Sequence, residues 1–195
     1  MPTGIALQDA RERLFAAAER VLLRDGPSGL TSRAVTDEAD VAKGVLHRYF
    51  ADFDDFLAAL VLDRAARQEG ESAILLGSVG TGSVTGNLTA ALTSLFSSVA
   101  VAMVALITFR DELRARLRET WPAGVPLATE AMHAVRAYLE AERAAGRLSA
   151  AADTQALALS LVGSGHLLFA DRTGEAPASQ AVLALVEGVL AGALR

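Results

Sequence analysis

The stretch "SRAVTDEADVAKGVLHRYFADFDDFLAAL", Ser32–Leu60, decides the reading of this chain. It places the only lysine of the protein, Lys43, beside His47 and Arg48 in a segment crowded with acids. Immediately before it, Thr31 has the side-chain oxygen that caps a helix, and Ala34, Val35, Glu38 and Ala39 supply a short amphipathic run. A sharp turn must come before Val41. Asp40 stands there, and Asp is one of the few non-glycine residues that tolerate a left-handed backbone. In the helix that follows, Val45, Leu46, Tyr49 and Phe50 share an inward face, which leaves Lys43, Gly44, His47 and Arg48 outside. Two short helices joined by a tight turn make a helix-turn-helix.

The outward set has a chemical reading. A helix lying in a DNA major groove needs long donors for base edges and phosphates, and a small residue wherever its backbone comes close. Lys43, Gly44 and Arg48 meet that need, and Arg33 near the start of the preceding helix adds a planar fork that pairs with both major-groove acceptors of guanine. A neighbouring phosphate would favour the charged form of His47. Each of these cations alone reads as an ordinary solvated charge, and only their arrangement points to DNA. The candidate DNA-contacting residues are Thr31, Ser32, Arg33, Lys43, Gly44, Val45, His47, Arg48 and Tyr49.

Upstream, Leu14, Phe15, Ala17, Ala18, Val21 and Leu22 recur at helical steps from Arg11, and Gly26 marks the stop. The start, "MPTGIALQDARERL", has no apolar core behind a basic end, so it is not a secretory signal, and it reads as a frayed arm. The whole chain, 195 residues and 52% hydrophobic with five prolines, is rich in Ala, Leu and Arg, which lose little side-chain freedom in a helix. These features predict an all-α protein with a small N-terminal three-helix unit and a larger C-terminal helical domain. The absence of cysteine excludes a disulfide framework, a thiol nucleophile and a cysteine-ligated metal, which makes the cytoplasm the default location.

The segment from Arg11 to Leu60 resembles the TetR/AcrR transcriptional regulators. The resemblance is carried by Thr31, Val35-Thr36, Ala39-Asp40-Val41, Gly44-Val45-Leu46-His47, Tyr49-Phe50 and Phe53-Asp54-Asp55-Phe56. The departures lie at Asp40, where the family prefers Gly, at Ala42 in place of a capping Ser or Thr, and at His47 and Phe53 in place of a phosphate-contacting Tyr and Lys. Residues 1 to 67 hold nine Lys and Arg against eleven Asp and Glu, an acidic balance for a domain that faces a polyanion. The resemblance implies a dimer whose last two helices form a four-helix interface. Two recognition helices about 34–36 Å apart then match successive major grooves of a pseudo-palindromic operator.

Beyond Leu60, a fourth helix is predicted from near Asp52 to about Gln68, its first turn supplied with Asp52, Asp54 and Asp55. "GSVGTGSVTGN", Gly77–Asn87, reads as a flexible connector. It lacks the Gly-Lys-Ser/Thr end of a nucleotide loop. "LTAALTSLFSSVAVAMVALITF", Leu88–Phe109, carries no charge over 22 residues. That length spans a bilayer, but the many Ser, Thr and Ala and the lack of a basic flank favour a buried central helix over a membrane span. Thr93, Ser97, Ser98 and Thr108 are then candidate polar points in an apolar pocket, with hydrogen bonds back to their own helix as the alternative. "RDELRARLRET" resumes a charged helix that Trp121-Pro122 breaks, another helix ends near Gly146, and two strongly apolar helices close the chain.

The three histidines, His47, His133 and His166, show no metal-ligand spacing, and "VGSGH" fails the Gly-x-Ser-x-Gly pattern because Val162 opens it. No cofactor, metal or catalytic residue is expected. Phe96, Met103, Phe109, Trp121, His133 and His166 are the candidate contacts for a small molecule. The sequence therefore points to a dimeric regulator, with a DNA-binding domain at 1–60 and a ligand-binding and dimerisation domain at 61–195. Its expected partners are double-stranded operator DNA, a small apolar or aromatic effector and a second copy of itself, with no membrane. Family resemblance makes it a repressor. The alternatives are a helical binding protein that has lost DNA binding and an enzyme using the C-terminal pocket.

Overall fold

A computed structural model describes residues 4–96, 98–122, 124–170 and 176–195. Among the described residues there are ten helices and one isolated antiparallel bridge, Leu148 with Leu194. The helices are α1 (Gly4–Gly29), α2 (Ser32–Glu38), α3 (Gly44–Tyr49), α4 (Phe53–Gly77), α5 (Val84–Leu95), α6 (Ser98–Phe109), α7 (Asp111–Leu117), α8 (Ala128–Ala144), α9 (Thr154–Phe169) and α10 (Ser179–Leu190). They form two compact units. One holds the described residues of Met1–Asp63 with Ala102–Val125, and the other Arg64–Val101 with Pro126–Arg195.

In the first unit most of the inward positions read from the sequence are buried, while Val45 and Tyr49 of the expected inward face of α3 are only half-buried. Leu14, Phe15, Ala17, Ala18, Val21 and Leu22 of α1 are buried, as are Leu46 and Phe50 at α3. Phe15, Phe50 and Phe56 meet as an aromatic cluster, with centroids 6.2, 5.6 and 5.1 Å apart for the three pairs, which fixes α1, α3 and the start of α4 against one another. Gly26 takes φ 73° and ψ −176°, so the helical path breaks there and resumes at Pro27 for one short turn. α1 starts at Gly4 rather than Arg11: Ile5, Ala6, Leu7 and Gln8 are acceptable helix residues with no breaker among them. Met1–Thr3, the rest of the expected arm, lie outside the described residues.

The second unit is a bundle in which α8 packs on α9, and α5 and α9 pack on α10. Its core gathers Leu88, Leu92, Val135, Tyr138, Leu139, Leu161, Val186 and Leu190. Three expectations change here. α4 continues nine residues past Gln68 to Gly77, because "ESAILL" favours helix and the isolated Gly70 costs only about 1 kcal/mol. The connector shrinks to Ser78–Ser83, since Ser83 caps α5 by accepting from the Gly86 N–H at 3.0 Å. Nor is it a free tether: Arg147 donates to Gly82 O at 2.8 Å and Thr81 O at 3.1 Å, and Asn87 Nδ2 donates to Ser78 O and Thr81 O.

The uncharged Leu88–Phe109 stretch is not one helix. α5 ends at Leu95, and α6 starts anew at Ser98. α5 buries Val84, Leu88, Leu92 and Leu95 on one side and exposes Ala90, Thr93 and Ser94 on the other, so it is amphipathic through its small polar residues rather than through charge. No single helix among the described residues is long and apolar enough to cross a membrane. The chain end is pinned by Ser149 N–H to Ala193 O at 2.8 Å and Arg195 N–H to Arg147 O at 3.1 Å.

Candidate functional site

The helix-turn-helix is built by local rules. Thr31 is extended at φ −125°, and its Oγ1 accepts from Ala34 N–H at 3.1 Å, which starts α2. Thr36, buried in the middle of α2, turns its hydroxyl back onto Ser32 O and Arg33 O. Asp40 takes φ 54°, the left-handed conformation its position requires, and Val41 N–H then reaches Thr36 O at 3.1 Å. α3 has Lys43 at its N-cap with no side-chain cap, as expected with Ala42 preceding it.

Three cations near this motif are held internally. Arg13 donates to Ala39 O at 3.0 Å, and Arg20 and Arg24 both grip Glu38 at 2.7 Å. The two guanidiniums hold the Glu38 carboxyl below the usual carboxylate range. Arg33 is exposed and shares an ion pair of 3.4 Å with Asp37 one turn on. By contrast, Lys43, His47 and Arg48 are exposed with no ion pair or hydrogen bond among the described residues. Val45 and Tyr49 lie half-buried at their flank. Ser32, Arg33, Thr36, Lys43, Gly44 and His47 line one surface notch of about 360 Å³. A Cβ on Gly44 would meet nothing within 4 Å, so internal packing does not require a glycine there.

Sequence reasoning missed how the start of α4 is held. Asp52 accepts from Asp55 N–H at 2.8 Å, and Asp55 accepts from Ala51 N–H at 3.0 Å, a reciprocal N-terminal cap. Arg116 then pairs with both Asp52 oxygens at 2.9 Å, and Arg110 pairs with Asp54 at 2.9 Å while its guanidinium lies 5.5 Å from the Phe53 ring. Hydrogen bonds from Arg116 and from the Asp55 backbone lower the Asp52 carboxyl. These partners are 64 and 56 residues away, so no local pattern announces them. Phe53, where the resembled family has a Lys, stacks on Phe56 at 5.7 Å and belongs to this packing.

Residues 14–60 match the family model described as bacterial regulatory proteins, tetR family. The N-terminal domain is a TetR-family domain. The TetR fold extends over the chain. A TetR-family transcriptional regulator from Agrobacterium tumefaciens superposes with a TM-score of 0.74 at 15% identity, covering 96% of this chain and 99% of that one. The fatty acid degradation regulator FadR from Bacillus halodurans gives 0.72 at 16% identity over 94% and 95%, and reduced NemR from E. coli gives 0.69 at 19% over 94% of each. No curated protein matches the sequence.

The candidate effector residues scatter in this TetR fold. Phe96, buried, meets the half-buried His166 with ring centroids 6.2 Å apart and Phe169 at 5.9 Å. A Cβ at Gly165 would sit 2.9 Å from the Phe96 ring, so the glycine admits that ring. Met103 is buried, Phe109 is largely exposed and Trp121 half-buried, all within the first unit, while His133 is exposed on α8 of the second. Thr93 and Thr108 hydrogen-bond back to Thr89 O and Val104 O, the ordinary use of a threonine in a helix. Ser97 lies outside the described residues, as does the side chain of Ser98. Two grooves of about 430 and 600 Å³ border α10, and none of the six candidates lines either. No group of three or more His, Asp or Glu among the described residues is placed to hold a metal.

Proposed function

We infer that the protein is a cytoplasmic, dimeric transcriptional repressor that a small apolar or aromatic molecule releases from a double-stranded operator. Residues 1–60 read DNA, and residues 61–195 bind the effector and dimerise. The observation that carries the reading is the open cationic face of α3, where Lys43, His47 and Arg48 have no ion pair or hydrogen bond among the described residues although nearby Arg20 and Arg24 are tied to Glu38. Gly44, Val45 and Tyr49, with Thr31, Ser32 and Arg33 at the start of α2, complete the contact set. The effector contacts are drawn from Phe96 and His166, with Met103, Phe109, Trp121 and His133 as further candidates. No catalytic role enters.

A dimer is supported by an exposed apolar stripe on α9. Ala156, Leu159, Gly163 and Leu167 recur at helical spacing, and Leu159 and Leu167 are 60% and 77% exposed. A face of that kind requires a cover in water. The effector binds better to a conformation in which the two helix-turn-helix units are wrongly spaced, and by linkage it weakens DNA binding by the factor DNA weakens its own, typically about 1–3 kcal/mol of coupling.

The test is selection of genomic DNA fragments by the purified protein at two salt concentrations. Enrichment of a short pseudo-palindrome supports the dimeric regulator. The acidic balance of the N-terminal domain and the Arg33–Asp37 pair favour one second reading, a helical ligand-binding protein without DNA binding. Failure to enrich any fragment at low salt selects it.

A further inference from the structure

Along α4, Arg64, Gln68 and Glu71 stand four and three residues apart, which puts them in one stripe of the helix surface. This stripe is polar and largely buried, with Glu71 at its half-buried end. Gln68 is 1% exposed, and Arg64, at 8%, pairs with Glu71 at 3.2 Å. Gln68 Nε2 donates to Leu127 O at 2.8 Å, which orients the amide and turns Oε1 to the other side. Gln68 Oε1 and Glu71 Oε2 are both buried acceptors with no donor among the described residues. Buried acceptors are nearly always paired, because leaving one unmet forfeits its hydration without return.

A second oddity lies at the same place. Leu127, which receives the Gln68 bond, is 2% exposed and has φ 71°, a conformation that L-leucine rarely adopts. Its N–H is held by Glu130 Oε2 at 2.5 Å, so Gln68 and Glu130 clamp a strained backbone at the start of α8. Strain and unmet buried acceptors at one junction mark a place built to receive something.

We propose that Gln68 and Glu71 are the polar recognition end of the effector site, and that the effector is an apolar body bearing a hydrogen-bond donor, a hydroxyl or an N–H. This rests on the effector reading given above and specifies its chemistry: beside the Arg64 guanidinium, which is engaged with Glu71, the two unmet oxygens are acceptors, so a purely hydrocarbon ligand leaves them unmet. Gln68 lies on the same continuous helix as Asp54 and Phe53, so the recognised group touches the element that starts directly behind α3.

The test uses full-length protein and a matched pair of probes, 4-phenylbutanol and butylbenzene, with binding read by calorimetry and by the shift of the thermal midpoint. The wild type is expected to prefer the alcohol by about tenfold, and Gln68→Met and Glu71→Gln each to reduce that preference to about twofold while leaving butylbenzene binding unchanged. Equal affinity for both probes in the wild type overturns the proposal, and so does a preference that survives both substitutions. Binding of neither probe overturns it as well. DNA selection on the same preparation, without probe, separates these failures from failure of the regulator reading, which alone predicts an enriched operator.

Discussion

At the scale of single residues, Lys43 and Arg48 matter because neither has an ion pair or hydrogen bond among the described residues. Lys43→Ala and Arg48→Ala should each lower DNA affinity and flatten the slope of log affinity against log salt by about one unit, with the oligomeric state unchanged. A salt titration of DNA binding by fluorescence anisotropy checks this, and slopes equal to wild type would place these side chains off the DNA. Thr31 acts by another route, through the cap of α2. Thr31→Ala should destabilise the protein by about 1 kcal/mol in chemical denaturation. Thr31, Asp40 and the buried Leu46 and Phe50 were legible in the sequence because caps, left-handed turns and helical faces are set by neighbours a few residues apart. The clasp of Arg110 and Arg116 on the acids of α4 was not legible, since only folding brings residues 56 and 64 positions apart together.

At the scale of elements, the contact of α9 with Phe96 depends on a missing side chain. Gly165→Ala puts a Cβ 2.9 Å from the Phe96 ring and should cost about 1–3 kcal/mol in thermal unfolding, whereas Gly163→Ala, with nothing within 4 Å, should be tolerated or slightly stabilising. The α4–α5 connector is held by Glu142, which is fully buried. It accepts from Arg147 and from the Gly80 N–H, while Asn87 Nδ2 donates to Tyr138 Oη at 3.0 Å. Burial pushes the Glu142 carboxyl up, but hydrogen bonds from Arg147, Tyr138 and Gly80 outweigh it, and the net shift is downward from 4.5. Burial, followed by the neighbouring Glu142, raises the Tyr138 hydroxyl to about 12. A carboxyl depressed in the folded state contributes stability above its unfolded value and loses it as pH falls below about 4.5 through the folded value. Glu142→Gln should therefore be less stable at neutral pH and show a shallower acid limb, as read by denaturant midpoints from pH 7 down to about 3.

For the whole molecule, the formal charge of −5 opposes approach to DNA, so binding should be weak unless two units engage together. The proposed second copy would cover the apolar stripe of α9. Leu159→Glu with Leu167→Glu should convert a dimer into a monomer in sedimentation and lower operator affinity at least tenfold, since each half-site is then bound alone. A double variant that stays dimeric would move the interface elsewhere.

The sequence by itself determined the helical class, the helix-turn-helix with its cap and its Asp40 turn, and the outward cationic set, because each follows from periodicity and backbone preference within a few residues. Tertiary structure alone decided where the uncharged Leu88–Phe109 stretch divides into α5 and α6, how far α4 runs, and which polar groups are buried. Those outcomes turn on contacts between distant segments: Arg147 reaches the Thr81 and Gly82 carbonyls, and Gln68 reaches Leu127, 59 residues further along the chain. A helical pattern shows which face is apolar. It does not show what that face will meet, and the meeting decides whether a buried oxygen finds a donor.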